Sequence, residues 1–169
     1  MPFKKNNVII LVGMMGSGKS TVGQLLSNKL GFQFIDTDQM IVDDQKLSIN
    51  EIFDNNGEAY FRNLEKNILN KIEFSNVVIA TGGGLPVFHN NMDILKEKGS
   101  TIYLKISAAE IYFRIKEFNN RPLFENSIPK VQQMLSERKG FYSKAKLNID
   151  CTGKKPNEIV DEIRKILNV

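Results

Sequence analysis

The chain has 169 residues, enough for one domain with its own core, and its 41% hydrophobic and 25% charged content is ordinary for a soluble globular protein. No apolar run approaches the roughly 20 residues needed to cross a bilayer, which argues against a membrane protein. The net charge of +4 and isoelectric point of about 9.1 would suit nucleic acid, but Lys and Arg are scattered among acids, with no basic block and no stacking aromatics. A small anionic ligand explains the excess equally well.

The start, MPFKKNN, is basic and leads through a short apolar run straight into a glycine loop rather than a cleavage site, so a signal peptide is a poor reading. VIILV (8–12) is continuously apolar, as a strand covered on both faces should be. GMMGSGKS (13–20) follows, and Lys19 to Leu30 then carries Val22, Leu25, Leu26 and Leu30 near helical spacing. FQFID (32–36) reads as a second strand. Ser48 to Glu51 and Ser107 to Glu110 match helix capping boxes. Gly57 to Ile72 reads as a long polar helix. NVVIA (76–80), TIYLKI (101–106) and LNIDC (147–151) read as three more strands. A final helix begins near Pro156 with an apolar stripe of Ile159, Val160, Ile163, Ile166 and Leu167. There is no internal repeat or linker. Alternating strands and helices predict an α/β fold: a five-stranded parallel sheet with helices on both faces, which binds ligands at the carboxyl ends of its strands. The one cysteine, Cys151, cannot form an internal disulfide. It reads as a buried apolar residue and suits a reducing cytosol, so the expected location is cytoplasmic.

The motifs sit at those strand ends. Gly13 to Ser20 fits G-x-x-x-x-G-K-[ST], the phosphate loop, with the required strand before it and helix after it. Glycines let successive N–H groups curl inward around an anion, and the helix adds its positive end. Lys19 can reach the β- and γ-phosphates of ATP, and Ser20 can offer its hydroxyl to one Mg²⁺. Gly16, Ser17, Gly18 and Thr21 complete the predicted nucleotide contacts. No N-K-x-D guanine motif occurs, and the chain is short for a motor ATPase, which points to a small phosphotransferase. After the second strand, Asp36 and Asp38 stand two residues apart, on one side of the strand end: one to help hold hydrated magnesium, the other to accept hydrogen bonds from substrate hydroxyls. Gly82, Gly83 and Gly84 invite close backbone approach to a ligand.

Together GMMGSGKSTVGQLLSNKL, FIDTD, EIFDNNGEAYFRNLE, TGGG, RPL and RKGFY resemble the shikimate kinases, in order and over nearly the whole chain. The resemblance implies a three-layer fold of the nucleoside-monophosphate-kinase type, with a substrate-binding segment at about 36–65 and a mobile lid at about 118–129. It implies transfer of the ATP γ-phosphate to the 3-hydroxyl of shikimate, with Mg²⁺, by a cytoplasmic monomer. Asp38 then matches the acid that binds shikimate hydroxyls and takes the proton of the attacking one, and Asp36 the acid near the metal. Arg62 and Arg138 match the arginines that grip the carboxylate, for which a planar guanidinium is well suited. Gly82, Gly83 and Gly84 match a segment whose N–H groups face shikimate, with Gly84 the first choice for contact. Arg121 matches the lid arginine that stabilises the transferred phosphoryl group, and Arg114 the arginine that packs on adenine.

The chain departs from the family pattern at Val42 and Asp43, where a glutamate is frequent, at Phe124 after RPL, and at Lys154-Lys155, near where an adenine-side arginine is often found. His89, the only histidine, has no metal-ligand spacing and reads as a solvated loop residue. The rival readings are a related kinase acting on gluconate or a nucleotide, and a nucleotide-binding regulatory module without catalysis.

Overall fold

The computed structural model describes residues 7–118 and 127–169. Arg121 and most of the predicted lid lie outside the described residues. Five strands, β1 (Val8–Val12), β2 (Gln33–Asp36), β3 (Val77–Ala80), β4 (Ser100–Lys105) and β5 (Leu147–Asp150), form one parallel sheet in the order β2-β3-β1-β4-β5. The helices are α1 (Lys19–Leu30), α2 (Thr37–Gln45), α3 (Ile49–Ile68), α4 (Asn91–Lys98), α5 (Ala108–Phe118), α6 (Ile128–Tyr142) and α7 (Pro156–Leu167).

β1 explains the layering. Its side chains alternate, so Val8, Ile10 and Val12 enter one core while Ile9 and Leu11 enter the other. The first core is closed by residues of α2 to α6, among them Ile41, Ile52, Leu95, Ile111 and Val131. Val22 and Leu26 of α1 and Ile159, Val160 and Ile163 of α7 close the second. Burying each such aliphatic side chain is worth about 1.5–3 kcal/mol, which is why an uninterrupted apolar run occupies the centre of the sheet.

Several local expectations are refined. The predicted helix from Gly57 is the second half of α3, which begins at Ile49 behind a complete capping box of Ser48 and Glu51. Gly57 breaks this helix at φ 81°, ψ 174°, a conformation that side-chain-bearing residues rarely adopt. The second predicted capping box forms only in part: Glu110 N–H donates to Ser107 Oγ, but the Glu110 carboxylate turns elsewhere. α6 starts at Ile128, so the last two residues of the predicted 118–129 lid belong to its first turn. The α7 stripe is narrower than read, since Ile166 is exposed. α2 and α4 were not anticipated. α2 follows β2 without a connecting residue, and the dipeptide that reads as a strand end is also a helix start.

Candidate active site

The turn from β1 into α1 is wrapped around a hollow. Gly13, Gly16 and Gly18 have φ of 146°, 74° and 90°, a backbone that side-chain-bearing residues rarely adopt and that lets the loop curl tightly into α1. Lys19, the first residue of α1, is buried, and its ammonium donates to Gly13 O at 2.9 Å and Met14 O at 2.7 Å, with Ser17 Oγ at 3.4 Å. The loop therefore holds its lysine by main-chain carbonyls. Ser17 is fully buried and its N–H donates to Met14 O, so it braces the loop from beneath. Gly16, Gly18, Lys19, Ser20 and Thr21 line a cavity of about 570 Å³.

Opposite the loop stands the end of β2. Asp36 caps α2, its Oδ1 accepting from the N–H groups of Asp38 (3.0 Å) and Gln39 (3.3 Å). Its Oδ2 accepts from Ser20 Oγ at 2.5 Å. Asp36 is thus both a helix cap and a member of the cavity wall, and the structure joins the two residues expected beside the metal. The described residues contain no cluster of three or more His, Cys, Asp or Glu side chains able to hold a cation. At the far side Arg114, Ile115 and Pro156 line the same cavity. Arg114 donates to Gly16 O (3.2 Å) and to Glu110 Oε1 (2.5 Å), while Glu110 Oε2 accepts from Gly153 N–H (3.0 Å). Lys154 is turned toward α7, where its ammonium meets Glu162 Oε2 at 2.6 Å.

A smaller hollow, about 40 Å³, shares Met15, Asp38 and Gly83 with the large cavity and adds Arg62, Gly84 and Arg138. Both arginines are buried. Arg62 donates to Glu58 Oε1 through Nε (3.2 Å) and Nη2 (2.8 Å), and to Glu65 Oε2 through Nη1 (2.8 Å). The triple glycine matters here for space. A Cβ on Gly82 would stand 2.3 Å from Asp38 Oδ1, and one on Gly84 would stand 2.2 Å from Arg62 Nη1. The N–H of Gly82 donates to Thr37 Oγ1 at 2.9 Å, so that amide is already engaged. Gly83 O accepts from the Tyr142 hydroxyl at 2.6 Å, which ties α6 to the loop after β3.

The electrostatics of this hollow are those of crowded, dry charges. Glu65 is 1% exposed, and burial pushes its carboxyl up to about 7 despite the adjoining Arg62; nearby Asp38 pushes the same way. Burial works against the Arg62 charge, but Glu65 and Glu58 outweigh it and hold the guanidinium above its ordinary value. Glu65 Oε1 and one terminal nitrogen of Arg138 are buried without a hydrogen-bond partner. Buried atoms of this kind are normally paired. Burial also pushes Tyr142 up to about 12 and Cys151 up to about 12, so neither supplies an anion near neutral pH.

The structure therefore brings together Lys19, Ser20, Thr21, Asp36, Asp38, Gly83 and Arg114 around one cavity, and Asp38, Arg62, Gly83, Gly84 and Arg138 around the next. Gly82 lies behind Asp38, and Arg121 is outside the described residues. Glu65 and Tyr142 were missed. Glu65 had a signal, since Arg62 and Glu65 are one helical turn apart; Tyr142 had none beyond standing in RKGFY.

Residues 15–168 match the family model described as shikimate kinase. A shikimate kinase of Sulfurihydrogenibium sp. is 41% identical over 156 residues, spanning 92% of this chain and 94% of its own length. The solved shikimate kinase of Acinetobacter baumannii, in complex with shikimate, superposes with a TM-score of 0.92 at 33% identity, covering 98% of this chain and 96% of its own. The solved enzyme of Aquifex aeolicus gives 0.84 at 39% identity over 95% and 96%. Motif order, sheet topology and these likenesses agree: the chain belongs to the shikimate kinase family, ATP-using enzymes that transfer phosphate to a hydroxyl group of shikimate.

Proposed function

We propose that the large cavity takes ATP, that the hollow beside it takes shikimate, and that the γ-phosphate passes to the 3-hydroxyl beside Asp38. The observation that carries this reading is that Asp38 and Gly83 line both spaces, so one carboxylate faces the phosphate loop and the arginine-lined hollow together. A small acid with several hydroxyls fits a wall of two buried guanidiniums and a carboxylate, because each group then finds an opposite partner.

Phosphoryl transfer asks a protein chiefly for positioning and charge stabilisation. The loop amides and Lys19 grip the β- and γ-phosphates, with Lys19 moving from carbonyl acceptors to phosphate oxygens. Arg62 and Arg138 hold the shikimate carboxylate, which gives the unpaired Arg138 nitrogen an acceptor. Asp38 aims the attacking hydroxyl and accepts its proton as the new bond forms. Gly83 and Gly84 let the substrate ring lie against main chain. Arg114, Ile115 and Pro156 flank the base. Arg121, on the resemblance alone, brings positive charge to the transferred group.

Mg²⁺ fits the donors present. Ser20 and Asp36 offer hard oxygens at the cavity wall and would hold the ion there, in line with its preference for oxygen donors. When bound, the ion would supply positive charge that offsets the negative charge of the phosphates. We further propose a single domain over 1–169, with the substrate-binding region at about 36–65, acting as a cytoplasmic monomer. The location is supported by the single cysteine, which is buried and has no second cysteine to pair with.

A coupled assay with ATP and Mg²⁺ across shikimate, gluconate and nucleoside monophosphates tests the reading. Turnover confined to shikimate supports it. Faster turnover of either rival acceptor overturns it, and so does ATP binding with no transfer at all.

A further inference from the structure

The loop after β3 returns upon itself. Leu85 N–H donates to Gly82 O (3.2 Å), Val87 N–H to Gly84 O (2.9 Å) and Asn91 N–H to Phe88 O (3.0 Å). The buried Asn91 side chain adds a bond to Leu85 O at 3.0 Å. These bonds carry Phe88 back to α3, where Arg62 Cζ stands over its ring, 4.4 Å from the centroid. Phe61 and Phe53 stand farther off, at 5.5 and 6.0 Å. Gly84 leaves no room on its side, since a Cβ there would sit within 3 Å of three guanidinium atoms.

We infer that Phe88 is a positioning residue for the substrate carboxylate, acting by stacking on the face of Arg62. The inference rests on the proposed role of Arg62. A guanidinium has five N–H donors in one plane. Glu58 and Glu65 take three of them, leaving one on each terminal nitrogen. Two donors suit a carboxylate only if the plane is held at the right tilt. Hydrogen bonds within the plane resist sliding but resist tilt poorly. A ring on the face resists tilt, attracts the cation through its quadrupole and keeps water off that face. An aliphatic side chain in the same volume would exclude water without the attraction.

The test is steady-state kinetics on the full chain. Phe88→Leu is expected to raise KM for shikimate about 3- to 30-fold, with kcat and KM for ATP within about twofold of the parent. Selectivity for shikimate over its methyl ester should fall by the same factor, because the ester has no anion for Arg62 to orient. Phe88→Tyr, which keeps the ring face, should restore KM to within about twofold. An unchanged KM in Phe88→Leu overturns the inference. So does an equal loss of kcat and ATP affinity, which would mean general loosening of the loop, and so does failure of tyrosine to rescue. Arg62→Ala separates the two levels. If it leaves KM for shikimate unchanged, the reading of Arg62 itself fails. If it raises KM and Phe88→Leu does not, only the stacking role fails.

Discussion

The two halves of the site are built on opposite principles. The half proposed for phosphate is one continuous stretch, 13–20, whose single buried lysine is satisfied by carbonyls of the same loop. The half proposed for the acid draws Asp38, Arg62 with Glu65, Gly82 to Gly84, and Arg138 from four separate stretches, and most of its charged side chains are buried. A loop whose lysine is satisfied by its own carbonyls can hold its shape whether or not a ligand is present. A cluster of buried charges must be compensated internally, and here the compensation is incomplete, with Glu65 Oε1 and an Arg138 nitrogen left over. The lesson is that the first half is a local feature of chain geometry, while the second exists only because the whole sheet assembles it.

Substitutions can separate the halves. The largest effect is expected at Lys19. Lys19→Met should reduce kcat by about 10³-fold or more, since the transferred group loses its nearest fixed cation, while the protein stays folded. Turnover near the parent value would break the assignment of the phosphate half. Gly82→Ala should strike the other half. Its Cβ would collide with Asp38 Oδ1 at 2.3 Å, so kcat/KM for shikimate should fall about 10- to 100-fold while ATP affinity, measured by titration, holds. Equal loss of both would show that the halves are not separable.

A pH experiment sharpens the contrast in charge. The Glu65 carboxyl is pushed from 4.5 up to about 7. The native state therefore keeps this proton while the unfolded chain releases it, and stability falls as pH rises from about 4.5 to about 7, by up to about 3 kcal/mol for this group. Glu65→Gln should flatten that part of the denaturation profile, and an unaltered slope would show that the carboxyl is not held protonated. Lys154→Met should do least. Its ammonium is paired at the surface with Glu162, so KM for ATP should stay within about twofold of the parent. A large rise would place that lysine on the nucleotide after all.

The same contrast decides what could be read from the sequence. The phosphate loop was legible because its physics is contiguous, and the span Lys19–Leu30 agrees with the observed helix end for end. The strands were legible because two-sided burial leaves unbroken apolar runs. Asp38 was marked with Asp36 by its place at a strand end, but Arg62 and Arg138 were reached through family resemblance, since nothing in their spacing brings residues so far apart in the chain to one hollow. Glu65 escaped because an acid on a polar helix looks solvated until the neighbouring elements bury it. Phe88 escaped for the converse reason, an aromatic in a loop having no periodicity to mark what it faces. α2 was lost because one aspartate ends a strand and caps a helix with no residue between.

Glu110 has a consequence of its own. One carboxylate clasps Arg114 and the Gly153 amide, fastening two stretches of chain, some forty positions apart, where Arg114 lines the large cavity. On the proposed reading the base lies beside this clasp, and the polyphosphate tail is held elsewhere, by loop groups indifferent to the heterocycle. Tolerance for one nucleobase over another can therefore drift through changes at this clasp, with the machinery of transfer left intact.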